Sequence, residues 1–111
     1  MQMNELQISD GKILSFTSDL QGLKLVFQDW KEKKWALFFH EVLAVQSISI
    51  EGEELSHLAI SKDDEFKRIT LEYFLDEEAN DFNCYNFFGV WRDSVLLKIV
   101  AKDNYKIEPI D

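Results

Sequence analysis

The chain has 111 residues, 46% of them hydrophobic and 14% aromatic, with four glycines and one proline; that composition can supply one packed core and lacks the signature of disorder. Its formal charge is −9, from 21 acidic against 12 basic residues, a field that repels phosphate backbones and anionic lipid and so argues against nucleic acid and membrane as partners. A lone cysteine, Cys84, leaves no intrachain disulfide to form and suits a reducing compartment.

The opening stretch MQMNELQISDG has neither a basic n-region nor an apolar h-region, so no signal peptide is expected. The longest unbroken apolar runs, Trp35 to Phe39 and Phe87 to Trp91, fall far short of the roughly 18 residues of a membrane span. A cytoplasmic protein forming a single domain over residues 1–111 is the expectation.

In chain order, KILSFTS and LKLVFQ alternate in polarity and read as two strands joined through DLQG, with Leu23, Leu25 and Phe27 on one face. QDWKEKK reads as a charged hairpin tip, after which WALFFH returns with Trp35, Leu37 and Phe39 on one face and Ala36, Phe38 and His40 on the other. EVLAVQSISI carries apolar residues on both faces in its first half and suits a central or covered strand. EGEEL breaks it, and SHLAIS is a further short strand.

Ser61 followed three residues later by Asp64 has capping-box spacing, with Asp in the place usual for Glu or Gln, and predicts a helix over about residues 62–76. Phe66, Ile69 and Tyr73, with Thr70 and Phe74, supply its apolar stripe. Ile69, Leu71, Tyr73 and Leu75 also alternate as a strand would; length favours the helix. DEEANDFN is turn-like, YNFFGVW and VLLKIVA flank the tip RDS as a second hairpin, and YKIE is a last strand that Pro109 should end. The fold class expected is α+β, mostly β: a curved antiparallel sheet or small β-sandwich of about seven strands, with the helix covering one opening or face.

Candidate chemistry is sparse. His40 and Glu41 suggest a zincin-type H-E-x-x-H helix, but the position of the second histidine is Ala44 and the context reads as strand. His40, His57 and Cys84 have no metal-ligand spacing, and Cys84 lacks a Gly-rich turn or helix start to lower its pKa. The glycines, at 11, 22, 52 and 89, cannot assemble a phosphate cradle. Carboxylate pairs such as Asp29 with Asp93, or Glu53 with Glu54, could be proposed as a glycosidase-type acid and base, though adjacent acids on loops are ordinarily solvated. No catalytic residue, metal or cofactor is assigned.

Aromatic residues stand out more. The doublets Phe38–Phe39 and Phe87–Phe88 place rings on both faces of two strands, so either a helix or second sheet covers both faces or one face is exposed. Exposed, Phe38 and Phe88, with Trp30 and Trp91 near the hairpin tips, form the candidate partner-binding set.

Across residues 11–108 the segments LVFQDWKEKKWALFFHEVLAVQ, GEELSHL and YNFFGVWRDSVLLKIVAKDNYKIE resemble small β-rich bacterial proteins that combine an F-x-D-W hairpin, a G-x-x-L-S-H-L segment and a late W-x-D-x-V-L-x-I-x-A strand. Phe27, Asp29, Trp30, Ser56, His57, Trp91 and Asp93 match that pattern. Some such proteins are similar to immunity proteins that neutralise secreted bacterial toxins, which implies an inhibitor acting by protein binding and carries over no active-site residue. An aspartate in a tip such as QDW can also be there to bond nearby backbone amides. Three functional readings are carried forward: a non-enzymatic, immunity-type protein-binding domain; a small hydrolase or ligand-binding barrel with its site near His40, His57 or Cys84; and a structural homodimer joined through the aromatic doublets.

Overall fold

The computed structural model describes residues 2–91 and 94–110. Its elements in chain order are β1 (Lys12–Asp19), β2 (Gly22–Gln28), β3 (Lys34–Phe39), β4 (Ala44–Ser47), β5 (Leu55–Ser61), α1 (Glu65–Leu71), β6 (Phe82–Gly89), β7 (Val95–Lys102) and β8 (Tyr105–Ile110). The pairings between these strands are all antiparallel. They form two four-stranded sheets, ordered β1-β2-β3-β8 and β4-β7-β6-β5. This is the expected mostly-β sandwich with one helix, built from eight described strands rather than about seven.

The first sheet follows from alternation. Leu23, Leu25 and Phe27 on β2 and Leu37 and Phe39 on β3 are buried, while Lys24 and Lys34 are exposed. A two-residue connection, Leu20–Gln21, joins β1 to β2, and the Asp19 carboxylate accepts from the Gln21 amide at 2.8 Å. Gly22 is required there: its φ is +137°, and a Cβ would collide with the Phe39 carbonyl oxygen of the paired strand.

The core lies between the two inner faces. Ile13, Leu25, Phe27, Leu37 and Phe39 meet Leu55, Tyr85, Phe87, Leu97 and Ile99, and the N-terminal segment adds Met3, Leu6 and Ile8. Tyr85 is central, with its ring 4.8 Å from Phe39 and 6.0 Å from Tyr105, and its hydroxyl donating to the Lys102 carbonyl at 2.9 Å. Each such side chain contributes roughly 2–3 kcal/mol when fully buried.

Helix α1 covers part of the outer face of the second sheet, where Phe66 and Leu71 pack on Phe82, Cys84 and Val100. It is shorter than the expected 62–76, and its cap is Asp64 rather than Ser61. The Asp64 carboxylate accepts from the Phe66 amide at 2.8 Å, whereas the Ser61 hydroxyl accepts from the Asp63 amide. Of the expected stripe, Thr70 is buried and Phe66 packs inward, but Ile69, Tyr73 and Phe74 are exposed, and Lys67, outside the stripe, is the other buried residue. Lys67 lays its stem inward and donates to the Lys62 carbonyl at 2.8 Å, and the Thr70 hydroxyl donates to the Phe66 carbonyl, so two polar residues fill the inner face.

Two further expectations change. The segment expected as a central or covered strand forms β4, a four-residue edge strand paired only to β7 among the described residues. The last strand does not end at Pro109: β8 continues to Ile110, because an edge strand leaves one row of donors unpaired and tolerates a residue that lacks one.

Asp64 also receives Lys98 of β7 at 3.0 Å and Asn86 of β6 at 3.4 Å, and its side chain is 15% exposed. Burial alone would raise its pKa, but the Lys98 ammonium and the Phe66 amide outweigh burial and hold the carboxyl below its ordinary 3.8. A depressed folded-state pKa contributes stability that is present above 3.8 and lost as pH falls below it. Asp64→Asn keeps a capping side chain but removes the charge, so it should cost about 1–3 kcal/mol near neutral pH and flatten the acid limb of the stability profile. Urea unfolding from neutral pH down to about pH 2 checks this, and parallel profiles for wild type and variant would show that the Asp64–Lys98 pair is not coupled to folding.

Candidate functional site

The histidines and the cysteine do not meet. His40 follows β3 directly, its carbonyl accepts from the Lys102 amide, and it borders a pocket of about 320 Å³ with Lys24 and Phe38. His57 lies on β5 with its ring stacked on Phe88, 4.2 Å between centroids and 9° between planes. Cys84 is fully buried on β6 beneath α1. It pairs with Ser61, four positions beyond His57, a separation of about 13 Å at the rise of a strand. Among the described residues no group of three or more His, Cys, Asp or Glu could hold a metal ion.

A bulge at Ser56 brings its hydroxyl within 3.0 Å of His57 Nδ1, beside a groove of about 470 Å³ bordered by Met3, Leu6 and Ile8. A nucleophile–base pair needs a third group to orient the imidazole. Among the described residues no side chain hydrogen-bonds the other ring nitrogen. Adjacent strand residues ordinarily face opposite ways, so only the bulge reveals this contact.

The acids are structural or solvated. Asp29 organises the β2–β3 tip, with Oδ1 accepting from the amides of Lys31 and Lys33, both at 2.9 Å, and Oδ2 from Trp35 Nε1 at 3.1 Å. Burial raises its pKa, but the Trp35 indole and the two amides outweigh burial and hold it below the ordinary value. Its supposed partner Asp93 lies outside the described residues. Glu53 and Glu54 are exposed on the loop before β5.

The four candidate partner-binding residues divide into two pairs. Phe38, on the outer face of the first sheet, is half-buried under the Lys24 side chain, whose Nζ sits 5.9 Å from its ring; among the described residues no element lies over it. Phe88, on the outer face of the second sheet, is half-buried beneath His57. Neither the helix nor another sheet therefore provides the cover for these two rings.

Trp30 and Trp91 stand on turns, 57% and 78% exposed. The register places both turns at one end of the sandwich: Lys12 pairs with Gln28 at the base of the Trp30 tip and bridges to Glu54, and Lys12, Glu54 and Trp91 border one shallow pocket. That end is uneven in charge, with Lys31, Lys33 and Lys34 against Asp29 and Glu32 around Trp30, and Asp10, Glu51, Glu53 and Glu54 against Lys12 around Trp91. Phe38 lies toward the other end of β3, opposite Lys24.

Comparison with known proteins adds no neighbour: no family model matches the chain, and no curated protein and no solved structure matches it. No helix is long and apolar enough to cross a membrane among the described residues.

Burial pushes the Cys84 thiol up to about 12, with the nearby Asp64 carboxylate adding to the shift. In the native protein near pH 8, iodoacetamide should modify Cys84 at least about 100-fold more slowly than in the urea-unfolded chain. Equal rates in the two states would mean that α1 does not seal this position.

Proposed function

We propose that the protein is a binding domain that engages another protein through the end of the sandwich bearing Trp30 and Trp91, and that its role is the immunity-type inhibition of a bacterial toxin which its sequence resemblance implies. One observation carries the binding reading: two exposed tryptophans project from separate turns of the same end of the sandwich. Tryptophan supplies large contact area at small conformational cost and is enriched among residues that dominate binding energy. The Asp29 carboxylate fixes the Trp30 turn through three hydrogen bonds, so that side chain is presented on a pre-ordered loop, which lowers the entropic cost of docking.

The uneven charge of this end suits an oriented encounter, in which opposite net signs beside each anchor select one docking direction. Inhibition of this kind needs no reaction on the domain itself, and burial of Cys84 and separation of the histidines are compatible with that.

Co-expression with each protein encoded beside this chain's gene, scored for toxicity alone and for rescue, tests the reading. Wild type should restore growth, and Trp30→Ala with Trp91→Ala should abolish rescue while thermal unfolding stays within a few degrees of wild type, since both side chains are exposed; each truncation should weaken the complex by about 2 kcal/mol or more. Full rescue by the double variant would place the binding surface elsewhere, and no rescue by wild type would remove the immunity role.

A further inference from the structure

The outer face of the first sheet is a basic island on an acidic protein. Cross-strand register assembles it: one row runs Thr17–Lys24–Phe38–Lys106, and the row at the other end contains Lys12 and Lys34 flanking Gln28. The middle row contributes Val26 and Ala36 as an apolar strip, and two acids share the face, Glu108, which pairs with Lys106 at 3.1 Å, and Asp19 at the end of β1. Lys12, Lys24, Lys34 and Lys106 are all exposed, and α1 packs on the opposite side of the sandwich. Four lysines around a small apolar centre, in a chain of formal charge −9, are a local reversal of sign, and an uncovered sheet face of this composition is complementary to carboxylates borne on an apolar-centred surface.

We propose that the outer face of the β1-β2-β3-β8 sheet docks an acidic protein segment, carboxylates on the lysine rim and aliphatic side chains over Val26 and Phe38. The proposal rests on the protein-binding reading and names the chemistry of the partner; the face adjoins the Trp30 tip through the row containing Gln28 and Lys34, so one partner can cover both. Other occupants fit less well. A polynucleotide is opposed by the net charge at long range, and the face carries no arginine for bidentate phosphate contacts. A second copy could offer its acidic segment around Glu72, Asp76 and Glu77, but that segment follows α1 on the far side, so copies would add head to tail without closing.

The test uses an end-blocked extended peptide of about ten residues alternating glutamate with valine, titrated against the whole chain. Saturable, salt-sensitive binding is expected, weakened about tenfold or more by Lys24→Glu with Lys106→Glu and unchanged by Lys62→Glu, a charge reversal of the same kind at an exposed lysine off this face. Any of four results overturns the proposal: no saturable binding up to about 1 mM, equal loss in Lys62→Glu, tighter binding of a single-stranded oligonucleotide or anionic vesicles than of the peptide, or self-association that depends on Lys24 and Lys106. A toxin whose capture requires Trp30 and Trp91 but tolerates reversal of Lys24 and Lys106 would also overturn it, while leaving the protein-binding reading intact.

Discussion

The architecture depends on a strand that is buried on both faces. From Phe82 to Phe87 every residue of β6 is buried, with Tyr85 and Phe87 turned into the sandwich and Phe82, Cys84 and Asn86 turned away from it. The first sheet covers the inward set, and the outward set would lie in water without α1. A seven-residue helix is too short to hold itself together in solution. It is held by packing of Phe66 and Leu71 and by Asp64, a single carboxylate that caps the helix and receives Lys98 and Asn86 from the strands below. Cys84, Asn86 and Lys98 are enclosed because that pin places the helix over them.

This arrangement leaves the molecule asymmetric. The outer face of the second sheet has a helix over one part and the His57 ring over Phe88, whereas the outer face of the first sheet has only its own lysine side chains to shield Phe38 and Val26. Exposed tryptophans at one end and a basic, uncovered face beside them are among the features left free once the core is satisfied, as are Ile69, Tyr73 and Leu75 at and beyond the end of α1. Function is most economically sought there, because groups already hydrogen-bonded or packed inside are committed to folding.

Strict alternation made β2 and β3 legible from the sequence, and the Asp29 tip was recognisable because an aspartate at a hairpin bend has backbone amides within reach. The helix existed where expected, but its inner face was only partly legible: Phe66 and Thr70 turn inward as the spacing predicts, whereas Lys67 is a polar letter whose stem and hydrogen bond let it be buried, and Ile69 and Tyr73 are apolar letters that face water. β4 was misplaced because its apolar content reports partial burial and not position within a sheet. The grouping of Trp30 with Trp91, the Ser56–His57 contact and the lysine rows had no local signature at all. Each exists only through the register between paired strands, which residue patterns along one strand do not encode.

Lysine acylation of the native protein, read residue by residue by mass spectrometry, tests the two-faced architecture most directly, since lysines sit on both the covered and the open side. This fold predicts fast labelling of Lys12, Lys24, Lys34 and Lys106 and strong protection of Lys67, lifted only on unfolding. Labelling of Lys67 as fast as Lys106, or protection of Lys24 and Lys106 in the isolated protein, would contradict a helix seated on one sheet and a face left open on the other.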